Sequence, residues 1–185
     1  MDVLREQEAT QRAADAVVAD LGLAELLRAA GDPVRVGSSA LGLMVARDID
    51  ITVVCPRLDE GVARTVVNIG ADLGLHPRVR EVRFRDDTGV WNTDPDYPDG
   101  LYLGPAYRAP GGADWTLDIW FVDEPHRQPD LRHVRDLPPR LTDETRRAIL
   151  EIKRAWPGMS SDVYLAVLDD GVRTAGQFEA WRRTR

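Results

Sequence analysis

Hydrophobic residues recur at three- and four-residue intervals in the N-terminal segment, and this spacing predicts a helix over residues 3–30. Val17 and Leu21 fall on its apolar side. Gly22 lies inside the same pattern and is expected to bend or split the helix. The sequence Gly-Asp-Pro at residues 31–33 is expected to end it.

The pattern then changes to an alternation of apolar and polar residues. Residues 48–54 (DIDITVV) alternate with β-branched residues in the apolar positions, which predicts a strand with one buried face. Helical spacing returns over residues 59–73, followed by Gly74 as a stop signal. Further strands are predicted at residues 34–37, 79–84, 101–107 and 115–122. Residues 86–100 are rich in Asp, Pro, Gly and Asn and are predicted to form a loop.

The C-terminal third has a different character. Residues 123–140 contain four prolines, and we expect an extended linker there. Helices are predicted over residues 142–156, near 161–170 and near 174–183. The chain is therefore expected to have an α+β fold, a mixed β-sheet flanked by helices with an N-terminal helix and a C-terminal helical tail. The predicted domain boundary separates a core at residues 1–125 from a linker and helical segment at 126–185.

Composition narrows the class of protein. The chain has 185 residues, a formal net charge of -7 and one cysteine, Cys55. It contains no apolar run near the roughly 20 residues that a membrane span needs, and its charged N-terminus lacks the apolar core of a secretory signal. We therefore expect a soluble, cytoplasmic protein that does not bind a membrane. The acidic balance makes a nucleic-acid partner unlikely, because such partners favour basic surfaces.

Two aspartates on the predicted strand at residues 48–54 carry the first chemical signal. Asp48 and Asp50 are two residues apart and so project from the same face, while Ile49 and Ile51 point into the core. Adjacent carboxylates repel each other unless a cation lies between them, and oxygen ligands suit magnesium. Shortly before them, Gly37 and Ser38 form a small-residue turn in which backbone N–H groups and a hydroxyl can contact phosphate.

A third aspartate, Asp118, lies in the predicted strand at residues 115–122 with apolar neighbours on both sides. A carboxylate in the middle of such a strand costs desolvation energy unless it is paired or bound to metal. If this strand lies beside the Asp48 strand, three carboxylates converge. Trp120 shares the predicted face of Asp118 and is a candidate for base stacking, although packing is the usual role of such a ring.

Residues 33–122 resemble the nucleotidyltransferase superfamily, which includes DNA polymerase beta and the aminoglycoside nucleotidyltransferases. The resemblance is carried by a Gly-Ser turn, a spacer of about ten residues, an acidic-apolar-acidic-apolar strand and a later lone acid. It implies that Asp48, Asp50 and Asp118 are catalytic residues that hold two Mg²⁺ ions, and that an NTP, ATP by expectation, is the co-substrate. The predicted nucleotide-binding residues are Gly37, Ser38, Ser39 and Arg47.

One position departs from the resemblance. The superfamily often has Ser or Thr just before the first acid, where this chain has Arg47. Arg47 could contact the triphosphate or form an ion pair near Asp50, and the sequence leaves both open. Lys153, the chain's only lysine, lies in the predicted helix at 142–156, and no motif assigns it a role.

The implied activity is Mg²⁺-dependent transfer of a nucleoside monophosphate from an NTP to a hydroxyl of a small molecule or a protein, with release of pyrophosphate. The alternative is a nucleotidyltransferase-fold binding module, antitoxin-like, that acts mainly through protein contact. The helices at both ends could serve a homodimer or a protein partner under either hypothesis.

Overall fold

The protein is described here by a computed structural model that covers residues 2–156 and 158–184. In these ranges the helices are α1 (Val3–Asp20), α2 (Leu23–Leu27), α3 (Gly37–Leu41), α4 (Glu60–Gly74), α5 (Pro129–Asp136), α6 (Asp143–Ala155), α7 (Ser160–Leu168) and α8 (Ala175–Arg183). The strands are β1 (Asp32–Val36), β2 (Asp48–Val54), β3 (Val79–Asp87), β4 (Gly100–Arg108) and β5 (Asp114–Val122).

The described strands form a single mixed sheet in the order β1-β2-β5-β4-β3. β2 and β5 run parallel, while the other neighbours are antiparallel. The parallel pair needs a long crossover, and α4 with the β3–β4 hairpin provides it. The predicted α+β class, with its mixed sheet, N-terminal helix and C-terminal helices, is confirmed.

One face of the sheet carries the larger hydrophobic core. Ile49, Ile51, Leu117 and Ile119 point from the central strands β2 and β5 into this core, where residues of α1, α2 and α4 cover them. The opposite face carries the polar positions of the same strands, as the alternation along each strand requires. The central strands therefore point their apolar side chains to one face of the sheet and Asp48, Asp50 and Asp118 to the other.

A second hydrophobic cluster joins the C-terminal helices α6, α7 and α8. Ile149, Val163 and Phe178 lie fully inside it, and Val3 of α1 with Leu41 of α3 tie it to the rest of the chain. The predicted boundary between residues 125 and 126 stays a prediction.

The segment at 123–140 differs from the extended linker that its prolines suggested. It contains α5, flanked by 3₁₀ turns at Pro125–Arg127 and Pro138–Arg140. Pro129 occupies the first turn of α5, where a missing backbone N–H costs nothing and the fixed φ angle favours the helix. The prolines here start short helices, which is the reason that the prediction of an extended segment was wrong.

Two further local features refine the sequence expectations. Gly22 has φ 58°, in the left-handed region, and separates α1 from α2 as expected. The small-residue turn after β1 is a short helix, α3, that begins at Gly37. Within the described residues, none of the helices combines the length and apolar character that crossing a membrane requires.

Candidate functional site

Three aspartates meet on the polar face of the two central strands. Asp48 and Asp50 lie on β2 with buried Ile49 and Ile51 on its other face. Asp50 is directly opposite Asp118 in the parallel register of β2 and β5. The expectation that Asp118 lies beside the Asp48 strand agrees with this register, and the roles of the three acids stay proposals.

A glycine allows the turn after β1 to lie close to these acids. Gly37 has φ 62°, a conformation that side chains rarely adopt. A Cβ atom at this position would also overlap the Asp50 carboxylate. The requirement for glycine at residue 37 therefore has two independent causes, and both keep the α3 turn close to Asp50.

Ser38 is buried and is bound by a lysine from the C-terminal helices. The Lys153 Nζ atom donates to Ser38 Oγ and, at 3.0 Å, to the backbone carbonyl of Leu43. The hydroxyls of Ser38 and Tyr164 lie 3.5 Å apart. Lys153 is only 9% exposed. Burial lowers the pKa of Lys153 to about 8, while the charges of Asp48 and Asp50 act to raise it.

Sequence reasoning left Lys153 without a role, although the sequence contains a signal. Lys153 follows the buried Ile149 by four residues, so it falls on the same buried side of α6. A lone lysine at a position where the helix otherwise buries apolar residues is costly, so it indicates a functional role for its charge.

The structure places Ser39 and Arg47 differently from Ser38. Ser39 is buried, its Oγ donates to the carbonyl of Val36 at 3.3 Å, and it accepts from Arg35 Nε at 3.1 Å. Its hydroxyl therefore stabilises the turn. Arg47 is exposed, and its side chain makes no hydrogen bond or ion pair with the described residues. Their predicted contacts with a nucleotide stay predictions.

Asp118 is held by a tyrosine from the neighbouring strand. Tyr102 of β4 donates its hydroxyl to Asp118 Oδ1 at 2.5 Å. Burial, together with this bond and the charge of Asp118, raises the pKa of Tyr102 to about 12, so the phenol remains a donor at neutral pH. The bond occupies one carboxylate oxygen and fixes the orientation of the other.

Burial and repulsion between the acids raise the pKa of Asp50. Burial, followed by the charges of Asp48, Asp118 and Asp130, raises the pKa of Asp50 from 3.8 to about 7, and Lys153 only partly opposes this. A cation bound beside Asp50 would favour its charged form and oppose this rise in pKa.

The acids open into a cavity of about 420 Å³, which we call the carboxylate cavity. It is bounded by the α3 turn, β2, the loop between β3 and β4, α5 and α7, and its lining residues are Gly37, Ser38, Asp48, Asp50, Asp96, Tyr97, Pro129, Asp130, His133, Met159, Ser160, Ser161 and Tyr164. Asp118 lies opposite Asp50 on the neighbouring strand and is not part of this lining.

Two of the lining residues, Asp130 and His133, come from α5 and were missed by sequence reasoning because α5 itself was not predicted. The Asp130 and His133 side chains lie 3.9 Å apart, and Gln128 donates to Asp130 at 3.3 Å. Burial raises the pKa of Asp130, and His133 opposes this effect.

The chemistry of this donor set fits a hard divalent cation. Asp48, Asp50 and Asp118 offer only carboxylate oxygens, and their mutual repulsion is the condition that Mg²⁺ relieves. Among the described residues, no three acidic, histidine or cysteine side chains already form a complete metal-ligand set. Metal binding would therefore have to draw the carboxylates together.

The overall fold has counterparts among solved structures. A structure of Cid1, studied for its RNA terminal uridylyl transferase activity, superimposes with a TM-score of 0.54 at 16% identity, over 89% of this chain and 47% of that chain. Cid1 in complex with its short product ApU gives 0.52 at 14% identity, over 94% and 47%. A Cid1 poly(U) polymerase mutant bound to MgATP gives 0.51 at 17% identity, over 80% and 42%.

This chain thus spans less than half the length of the Cid1 structures that it matches. No protein-family model matches the sequence, and no curated protein matches it. At these levels of identity the similarity establishes the fold. The chain has the fold of Cid1 poly(U) polymerase, and the fold that the sequence resemblance implies is confirmed.

Proposed function

We propose that this protein is a Mg²⁺-dependent nucleotidyltransferase that moves the nucleoside monophosphate of an NTP to an acceptor hydroxyl and releases pyrophosphate. The observation that carries the proposal is the pairing of Asp50 with Asp118 across parallel strands. The pair lies beside a cavity that also contains Ser38, which is bound to the buried Lys153. Carboxylates that could hold a metal thus lie near an ammonium that could bind phosphate.

Asp48, Asp50 and Asp118 would hold the Mg²⁺, which supplies charge neutralisation at the phosphates and activation of the acceptor hydroxyl. Ser38 and Lys153 would bind the phosphates farther from the reacting phosphorus. A phosphate oxygen can replace Ser38 Oγ as a partner of the Lys153 ammonium, and a bond between two charged groups is stronger than the present one to a hydroxyl.

In the transfer itself, the acceptor oxygen forms a bond to the α-phosphorus. The bond from that phosphorus to the bridging oxygen breaks, and pyrophosphate leaves with the electron pair. The acceptor proton passes to the Asp118 oxygen that Tyr102 does not occupy.

The ligands of similar structures support a nucleotide in this role. Structures of Cid1 contain a UTP analogue and MgATP, which are ligands of that protein and support an NTP as the co-substrate here. The alternative of a binding module without catalysis is not favoured, because Ser38, Asp48 and Asp50 line one cavity. Asp118 lies opposite Asp50, and Lys153 donates to Ser38.

Binding and transfer can be tested separately. Calorimetry with each of the four NTPs as non-hydrolysable analogues, with and without Mg²⁺, should show metal-dependent binding. The double variant Asp48→Asn with Asp50→Asn should lose it, whereas Asp72→Asn, an exposed aspartate on α4, should retain it. The absence of metal-dependent binding for all four analogues would contradict the proposal.

For transfer, α-labelled NTP is incubated with the enzyme and a metabolite extract that has been filtered free of macromolecules. Label should appear in a new product together with pyrophosphate. Asp118→Ala should bind the nucleotide and form no product. If Asp118→Ala transfers label as fast as the wild type, Asp118 is not the general base of the reaction.

A further inference from the structure

A second cavity of about 520 Å³ lies beside β3, β5 and the loop between β3 and β4. We call it the aromatic cavity, and its lining residues are Arg85, Asp87, Trp91, Asn92, Thr93, Asp94, Tyr97, Pro98, Trp120, Gln128 and Asp130. Trp120 follows Asp118 by two residues on the same face of β5, about 7 Å along the strand. Tyr97 and Asp130 line both cavities. Asp118 lines neither cavity, but it lies opposite Asp50, which lines the first, and two residues from Trp120, which lines the second.

The outer wall of the aromatic cavity is a loop held in position. Asn92 Nδ2 donates to Asp99 at 3.0 Å and to the carbonyl of Tyr97 at 3.2 Å. Arg127 Nη2 donates to the carbonyls of Pro95 and Tyr97 at 3.2 and 3.1 Å. These bonds fix the segment between β3 and β4 as a wall. The enclosed volume suits a small molecule.

Aromatic rings provide much of the surface in this cavity. Trp91 is 69% exposed although it is a large apolar side chain. Trp120 and its cross-strand partner Tyr102 already bind a cation, because the Arg85 guanidinium lies 5.2 Å and 4.9 Å from their ring centroids. The ring faces here thus favour positive charge, and the face of Trp91 is open to a ligand.

The charges on the lining are unbalanced. Arg85 is neutralised by Asp87, to which its Nε donates at 3.0 and 2.8 Å. Arg127, behind the loop, is paired with Glu124 at 2.8 Å. The carboxylates of Asp94 and Asp130 have no arginine or lysine partner among the described residues; His133 lies 3.9 Å from the latter. The cavity therefore presents net negative charge beside open aromatic surface.

We infer that the aromatic cavity binds the acceptor of the proposed transfer, and that this acceptor is a small hydroxyl compound with a protonated or quaternary amine. The inference rests on the proposed function for its reaction and on the aromatic cavity for its chemistry. Carboxylates stabilise the ammonium by charge, and the ring faces stabilise it through their quadrupoles. A polyanionic RNA acceptor would meet repulsion from the same carboxylates.

The test measures binding without metal or nucleotide, so that it stands apart from the test of transfer. Tryptophan fluorescence is titrated with two matched pairs of probes, choline against 3,3-dimethylbutan-1-ol and glucosamine against glucose. At least one cation should bind ten-fold or more tightly than its neutral partner. Equal affinity within both pairs, or no saturable binding of either cation, would overturn the inference.

Variants locate the site on the chain. Trp91→Ala and Asp130→Asn should each weaken binding of the preferred cation at least ten-fold. Val90→Ala, a neighbour of Trp91 that is 89% exposed and outside the lining, should change it less than two-fold, as should Asp72→Asn. Unchanged affinity in both cavity variants would place the amine elsewhere and overturn the inference.

The competing acceptor is tested in the same format. A hexamer of uridylate that binds more tightly than either cation, and that loses affinity in Trp91→Ala, would assign the cavity to RNA and overturn the inference. Cation binding in a protein that shows no metal-dependent NTP binding would leave the cavity assignment standing and refute only the proposed function.

Discussion

Asp50 should destabilise the metal-free protein as pH rises, and replacing it should remove that effect. The pKa of Asp50 is raised from 3.8 to about 7 by burial and by its acidic neighbours. Between these values the unfolded chain has lost this proton and the folded chain still holds it. Stability therefore falls with rising pH in that window and levels off above about pH 7.

The size of the effect follows from the two pKa values. Each pKa unit corresponds to about 1.4 kcal/mol, so the full penalty above pH 7 is about 4 kcal/mol. Between pH 5 and pH 7.5 the wild type should lose about 2 to 3 kcal/mol more than Asp50→Asn. Loss of the Lys153 attraction works in the opposite direction in the variant, but it is the smallest influence on Asp50.

The assay is urea denaturation of the metal-free protein in EDTA at pH 5 and pH 7.5. In thermal melts of the same samples, for a chain of this length, the predicted difference corresponds to a relative change in melting temperature of roughly 4–12 °C. Asp72→Asn is the matched control, because Asp72 is exposed on α4 and makes no hydrogen bond or ion pair with the described residues. Asp130, whose pKa is also raised, is present in every protein compared, so the comparison isolates the Asp50 carboxylate together with its repulsion from Asp130.

Parallel loss of stability in the wild type and in Asp50→Asn would refute the reasoning, because it would mean that the Asp50 carboxylate ionises without cost in the fold. Mg²⁺ provides a second check. It should stabilise the wild type more at pH 7.5 than at pH 5, since ligand carboxylates must be ionised to bind the metal.

Three further predictions concern residues around the acids. Gly37→Ala should lower stability by about 2 kcal/mol through its positive φ and its overlap with the aspartate, measured by thermal melting, whereas Gly74→Ala at the end of α4 should be neutral. Lys153→Met should weaken binding of Mg²⁺–NTP at least ten-fold in calorimetry, and unchanged affinity would remove the lysine from the phosphate site. Tyr102→Phe should slow label transfer while changing nucleotide affinity less than two-fold, because it removes only the donor that orients Asp118.

The parts of the site that could be predicted are those fixed by local periodicity. Asp48 and Asp50 share a face because a strand alternates, and the apolar residues between them leave only one face for the core. The position of Asp118 needed one additional assumption, that β5 lies beside β2. The costly carboxylate in an apolar strand justified that assumption, and the observed register agrees with it.

The remaining residues could not be predicted, because tertiary packing places them. Asp130 and His133 depend on α5, whose prolines suggested an extended segment. Lys153 lies more than a hundred residues from Ser38, and only the docking of α6 on the α3 turn joins their side chains. Trp91 and Tyr97 lie in or beside the loop between β3 and β4, where composition predicts a loop and leaves open which cavity it lines.

The same ligands would change the charges of the two cavities differently, and this difference favours a cationic acceptor. If the proposed function holds, Mg²⁺ and an NTP together would bring cations to Asp48, Asp50 and Asp118 and an anion to Lys153, and would balance these charges. An NTP alone would meet the same acids unshielded, and its affinity should therefore rise with Mg²⁺. Neither ligand neutralises Asp94, which lies in the aromatic cavity alone. In the proposed reaction that negative charge would remain while magnesium and the nucleotide are bound. A cationic acceptor would then be attracted both by the Asp94 carboxylate and by the phosphates of the nucleotide.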